Sequence, residues 1–218
     1  MDCMEAIKQR KSIRYFTKEV PPKTLILECL EAASWAPNPT AQQPWQFIVL
    51  SGGSLKKVSD IIKKSYSGET GKTAPQLTEN SENARILEQR KKENFSEMLG
   101  FLKEHIADMT SLGEGNFNFH QAPLAIIFAT YPYKDQNYLK STVSAMQTFM
   151  LAAAARGLGT CWANAVSICQ DAIKKELGLQ DELILVDGIS VGYPEKESPI
   201  NNVPRHRLPI EDVSIWLD

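Results

Sequence analysis

Two basic clusters lie at opposite ends of the chain, Arg10-Lys11-Ser12-Ile13-Arg14 and Arg205-His206-Arg207. In an extended or loosely helical segment, Arg10, Ser12 and Arg14 point the same way, so that two guanidiniums flank a hydroxyl. Such a set suits a phosphate, because guanidinium makes paired charge-assisted bonds and the hydroxyl adds a short donor. The plainer alternative is that basic side chains at a helix end complement its dipole. That alternative accounts less well for the serine and for the second cluster.

Residues 35–51 form a third chemically distinctive stretch, Trp35-Ala36-Pro37-Asn38-Pro39-Thr40-Ala41-Gln42-Gln43-Pro44-Trp45 running into Gln46–Ser51. Pro37, Pro39 and Pro44 lack backbone donors and fix φ, which makes a stiff, non-helical loop. A stiff loop rich in amides could hold a planar polar ligand, or simply join a helix to a strand. Other chemistry is missing. There is no GxGxxG after a strand, no GxxxxGK[ST] phosphate loop, no GxSxG elbow and no HExxH. Cys3, Cys29, Cys161 and Cys169 fall in no CxxC pair, and His105, His120 and His206 are scattered. A site here must therefore be a cofactor pocket whose ligand supplies the reactivity.

The composition is that of an ordinary globular chain: 218 residues, 43% apolar and 23% charged, with a net charge of −2. That charge gives no field to draw nucleic acid or an anionic membrane. No apolar run approaches a bilayer span, and the first residues do not resemble a signal peptide. Four thiols without an export signal point to a cytoplasmic protein.

The elements that must position these residues follow from periodicity. Helices are expected over 2–10, 23–35, 55–64, 140–156 and 168–177, and strands over 45–50, 123–130 and 183–192. In the helix from 23, Leu25, Leu27, Cys29, Leu30, Ala33 and Trp35 should be largely buried. The helix from 140 is apolar nearly all round and must lie inside the fold or at a subunit interface. Gly157 is its natural stop. Residues 65–81 read as a polar surface loop and the following helix runs from Glu82 towards Gly113, so 65–119 is a helical excursion. Strands separated by helices imply a sheet covered on both faces.

Together these pieces resemble the FMN-dependent nitroreductase family. The resemblance covers most of the chain outside 65–119 and rests on four elements in order. They are Arg-Lys-Ser-Ile-Arg near the N-terminus; Ala36-Pro37 with Pro44-Trp45-Gln46-Phe47; the alanine-rich helix running into Gly157-Leu158-Gly159-Thr160-Cys161-Trp162; and Gly192-Tyr193-Pro194 followed by Arg205-x-Arg207. What it implies is a single α+β domain over 1–218, a three-layer α/β/α sandwich on a central mixed sheet, forming a homodimer with two FMN sites at its interface. By that match Arg10, Lys11, Ser12 and Arg14 hold the phosphate and ribityl end, and Arg205 and Arg207 close on the phosphate. Pro37, Asn38, Pro39 and Gln43 come from the partner subunit. Trp162, Ala163 and Asn164 lie along the isoalloxazine and offer main-chain amides near N5.

The implied activity passes hydride from NADH or NADPH through FMN N5 to a small electron-poor acceptor, a nitroaromatic, quinone or flavin, in a ping-pong cycle. Lys11 and Arg14 are the candidates for stabilising reduced flavin, and no protein acid or base is required. The excursion would shape the acceptor pocket, with Tyr66, Phe95, Phe117 and Phe119 as walls. Where family members often carry Asn, this chain has Ala41, and Gln42 is the candidate stand-in. The competing readings are a flavin-binding sensor or carrier without turnover, and another flavin chemistry such as enone or diketopiperazine oxidation, dehalogenation or flavin fragmentation.

Overall fold

Short β-prone runs bounded by prolines and glycines form strands, and runs with three- and four-residue periodicity form helices. In chain order the elements are α1 (Cys3–Gln9), α2 (Lys23–Ser34), β1 (Trp45–Ser51), α3 (Gly52–Ser67), α4 (Glu82–His105), β2 (Leu124–Thr130), α5 (Asn137–Ala155), β3 (Gly159–Ala163), α6 (Ala165–Ile168), α7 (Gln170–Leu177) and β4 (Ile184–Gly192). The computed structural model describes residues 1–67, 82–105, 115–133 and 136–217. The chain forms two units, one of Met1–Lys72 with Thr110–Asn201, the other of Thr73–Met109 with Asn202–Asp218.

The first unit is built on a four-stranded sheet in the order β1-β2-β4-β3. β2 is buried along its whole length, as befits an interior strand that is apolar on both faces. Its side chains alternate. Leu124, Ile126 and Phe128 pack with Ala145, Met146 and Phe149 of α5 and Ile26, Cys29 and Ala33 of α2. Ala125, Ile127 and Ala129 pack with Val58 and Ile62 of α3, Val166 of α6 and Ile173 of α7. Helices therefore cover both faces, which makes the expected α+β sandwich. All four strands pair antiparallel, and the parallel element of the expected mixed sheet is confined to a bridge between Ser12 and Thr160. The long connection between β1 and β2 lets the chain re-enter in either direction, so intervening helices do not force a parallel sheet.

β3 adds a strand to the three expected. It is only five residues long, and the helix stop at Gly157-Leu158 masks it in the sequence. That stop is a Schellman turn: Leu158 N–H bonds Ala153 O at 2.9 Å and Gly157 N–H bonds Ala154 O at 3.0 Å, with Gly157 at φ +77°.

Two helices are less buried than their patterns suggest. In α1 Ala6 is buried, while Met4 and Ile7 are exposed. In α2 Ile26, Cys29 and Ala33 are buried, Leu27 is exposed, and Trp35 just beyond its end is 84% exposed. Phe119, expected as a pocket wall, is a core residue at 1% exposure because its turn folds back over the sheet. Phe117 also packs on that core, and Phe95 is an exposed residue of α4. Residues 68–81 and 106–114 and the side chain of Tyr66 lie outside the described residues.

Candidate functional site

The basic N-terminal segment leaves α1 and runs alongside β3. Ile13 N–H donates to Thr160 O at 2.9 Å. Close approach is possible because residue 159 is glycine: a Cβ there would stand 2.8 Å from the Ile13 side chain. The Ser12 hydroxyl and the Arg14 and Arg10 guanidiniums lie near enough to the Cys161 thiol to favour its charged form, while the thiol itself points to Trp162 O at 3.8 Å. Burial nevertheless pushes the Cys161 thiol up, so it is no ready nucleophile. Arg10, Ser12 and Arg14 thus gather at one place. A cleft of about 280 Å³ lies beside this segment, lined by Arg10, Lys11, Ile13, Gly157, Gly159 and Thr160 among others, but not by Ser12 or Arg14.

β3 is the last strand of the sheet, with β4 on one side only. Thr160 turns its carbonyl outward to Ile13, and main-chain groups in a strand alternate with a period of two. Trp162 therefore presents its N–H and C=O to the same open edge. Its indole Nε1 donates to Asp187 Oδ2 at 2.8 Å, and Ser167 Oγ donates to Asp187 Oδ1 at 2.9 Å. Burial raises the Asp187 carboxyl above its ordinary value, against those two hydrogen bonds. Asn164, between Trp162 and Ser167, is exposed.

The loop after α2 is stiff for more than its prolines. Thr40, Ala41 and Gln43 all have positive φ, at 45°, 54° and 48°. Each such residue costs on the order of 1 kcal/mol and persists only where its surroundings enforce it. Asn38 does the enforcing: its Nδ2 donates to Ala36 O at 3.1 Å, and its Oδ1 accepts Gln43 N–H at 2.8 Å. Pro44 O accepts Thr130 Oγ1 and Tyr131 N–H, which fixes the exit. Gln42, the candidate stand-in for an asparagine at 41, accepts Tyr138 Oη at its Oε1 at 2.6 Å.

The two halves of the anticipated site stand apart within one chain. The loop is tied to the start of α5 through Tyr138, whereas the arginine cleft includes Ala154 at its other end. At 1.5 Å per residue, the intervening helix spans roughly 24 Å.

A family model described as the nitroreductase family matches residues 7–193. The chain belongs to the nitroreductase family. It is 24% identical over 217 residues to a chloronitrobenzene nitroreductase of Comamonas testosteroni, covering 98% of this chain and 96% of that one. It is 27% identical over 206 residues to a 5,6-dimethylbenzimidazole synthase of Rhodospirillum rubrum, covering 94% and 88%. The fold superposes at a TM-score of 0.83, with 22% identity and 99% and 97% coverage, on the FMN-dependent nitroreductase NfnB of Mycobacterium smegmatis in complex with NADPH.

Against the nitroreductase pattern, the structure brings Arg10, Lys11, Ser12 and Arg14 to the start of β3; Trp162, half-buried, and Ala163, buried, end that strand, and exposed Asn164 follows it. Pro37, Asn38, Pro39 and Gln43 share one loop at the far end of α5. Arg205 and Arg207 are exposed residues of the second unit. There Arg207 lines a groove of about 700 Å³ with Arg90, Glu93 and Asn94 of α4, and His206 Nε2 meets Glu97 Oε2 at 2.7 Å.

Two residues of the arginine site were not among the sequence candidates. Asn201, buried, accepts Arg14 and Tyr15 N–H at Oδ1 (2.8 and 3.1 Å) and donates to Tyr15 O and Glu195 O (2.7 and 2.9 Å). It holds the arginine segment to the chain beyond β4. His120 is buried in the turn after α4, with no partner at Nε2 among the described residues, and burial and the Arg14 charge push it down to about 4. Nothing in the local sequence marks either one, since each acts on residues far away in the chain.

Proposed function

We propose that the protein is an FMN-dependent NAD(P)H oxidoreductase acting on small electron-poor acceptors as a homodimer with two flavin sites at its interface. FMN fits the residues present. Arg10 and Lys11 line a cleft beside β3, Ser12 and Arg14 follow in the same segment, which Gly159 lets pack close to the strand, and an open strand edge runs on from it. When bound, FMN supplies the redox chemistry that links NADH or NADPH to a nitroaromatic, quinone or flavin acceptor.

The chain's own part is to bind and orient. Arg10, Lys11, Ser12 and Arg14 would hold the phosphate and ribityl end, with Arg205 and Arg207 closing on the phosphate. Trp162, Ala163 and Asn164 would lie along the ring system, with main-chain donors from Trp162 and Asn164. Lys11 and Arg14 would favour negative charge on the pyrimidine side of that ring. Pro37, Asn38, Pro39 and Gln43 would come from the second copy.

The observation that carries the two-chain reading is the separation along α5, which keeps one chain's loop from its own arginine cleft. Exposed apolar side chains support it. Met4, Ile7, Leu27 and Trp35 stand on the first unit, and Ile215, Trp216 and Leu217 end the second, about 90% exposed.

The purified protein should be yellow, should bleach without oxygen on addition of NADH or NADPH, and should regain colour with a nitroaromatic or quinone. A colourless protein that takes up no FMN contradicts this reading. Yellow protein that does not bleach favours a carrier. The likeness to a 5,6-dimethylbenzimidazole synthase supports one rival reading, flavin breakdown, in which colour fails to return because FMN is consumed.

A further inference from the structure

Asp187 stands where β4 departs from regular pairing. Phe128 faces Asp187 and Ala129 faces Leu185, so Val186 is an extra residue, a β-bulge. Bulges bend the strand and re-aim its side chains. Here Asp187 receives Trp162 Nε1 at 2.8 Å and Ser167 Oγ at 2.9 Å, one on each oxygen. These donors flank a single corner, Trp162 on β3 and Ser167 on α6, with Ala163 and Asn164 between them. Among the described residues no cation acts on this half-buried carboxylate. A buried charge met only by neutral donors is a weak way to stabilise a fold, since apolar packing there costs less.

We propose that Asp187 is a positioning residue that braces the β3–α6 corner and thereby fixes the main-chain groups of Trp162 and Asn164 against the flavin ring. This rests on the proposed flavin site and adds a residue that acts through others. The carboxylate sets the distance between residues 162 and 167, and the bulge sets the direction of the carboxylate. Loss of the brace should disturb the ring's seat more than the phosphate's, because the arginine cleft is held separately by Asn201.

The test compares FMN-loaded wild type with Asp187→Leu, Asp187→Asn and Ser167→Ala. Visible circular dichroism reads the flavin's surroundings, titration reads FMN affinity, and anaerobic stopped flow with NADPH or NADH reads bleaching per bound flavin. Asp187→Leu should alter the visible dichroism and slow bleaching about 10- to 100-fold, with a smaller change in affinity. Asp187→Asn should recover most of the rate, because the amide can still accept from Trp162 while donating to Ser167 Oγ. Ser167→Ala, which removes one brace and keeps the fold, should slow bleaching roughly two- to tenfold. The proposal is overturned if loaded Asp187→Leu or Ser167→Ala keeps the wild-type spectrum and rate. It is equally overturned if rate falls only in step with lost FMN. Failure of the flavin reading itself would show in the wild type, as protein that takes up no FMN.

Discussion

Asn201 uses all four of its side-chain hydrogen-bonding positions on main-chain groups of Arg14, Tyr15 and Glu195. No smaller residue can do this, and buried donors left unpaired are costly. Asn201→Ala should lower stability by about 3 kcal/mol in denaturant unfolding and weaken FMN binding, because Arg14 loses its anchor. A second test at this scale concerns His120. Its folded value is about 4, below the ordinary 6.5, so the unfolded chain binds the extra proton first. Stability from this source is therefore intact above about pH 6.5 and falls by up to about 1.4 kcal/mol per unit down to pH 4. His120→Asn, which tolerates the positive φ of this turn, should flatten the acid limb of a plot of melting temperature against pH. Neither residue is legible in the sequence. The arginine and serine cluster is, because side-chain chemistry at short spacing needs no tertiary information.

At the scale of elements, the arginine segment is held against β3 by one glycine. Gly159→Ala would set a methyl 2.8 Å from Ile13, so the segment must move outward. FMN affinity should fall at least tenfold in a fluorescence titration while far-ultraviolet dichroism stays near wild type, since the main core lies elsewhere. Unchanged affinity would mean that the segment does not bind the cofactor. The long amphipathic helices and the apolar strands β1, β2 and β4 could be read from periodicity. β3 could not, because five residues after a helix stop carry too little pattern. The faces of α1 and α2 were half legible: periodicity identifies apolar positions, but not whether they face this chain's core or another surface. Met4, Leu27 and Trp35 lie outside this chain's core.

At the scale of the whole molecule, the proposed site requires two chains. One supplies the arginine cleft and the open edge of β3, and the other supplies the loop fixed by Asn38. The sequence suggested this division only through family resemblance; the separation along α5 gives it a physical basis. Mixing two variants in one dimer tests it most directly. One chain carries Arg10→Ala with Arg14→Ala, the other Asn38→Ala with Gln43→Ala, with different tags so that the mixed dimer can be purified. Each variant alone should bind FMN poorly. The mixed dimer should bind one FMN per dimer at near wild-type affinity, because one of its two sites is assembled from unaltered halves. A mixed dimer that binds no better than either parent would contradict the account.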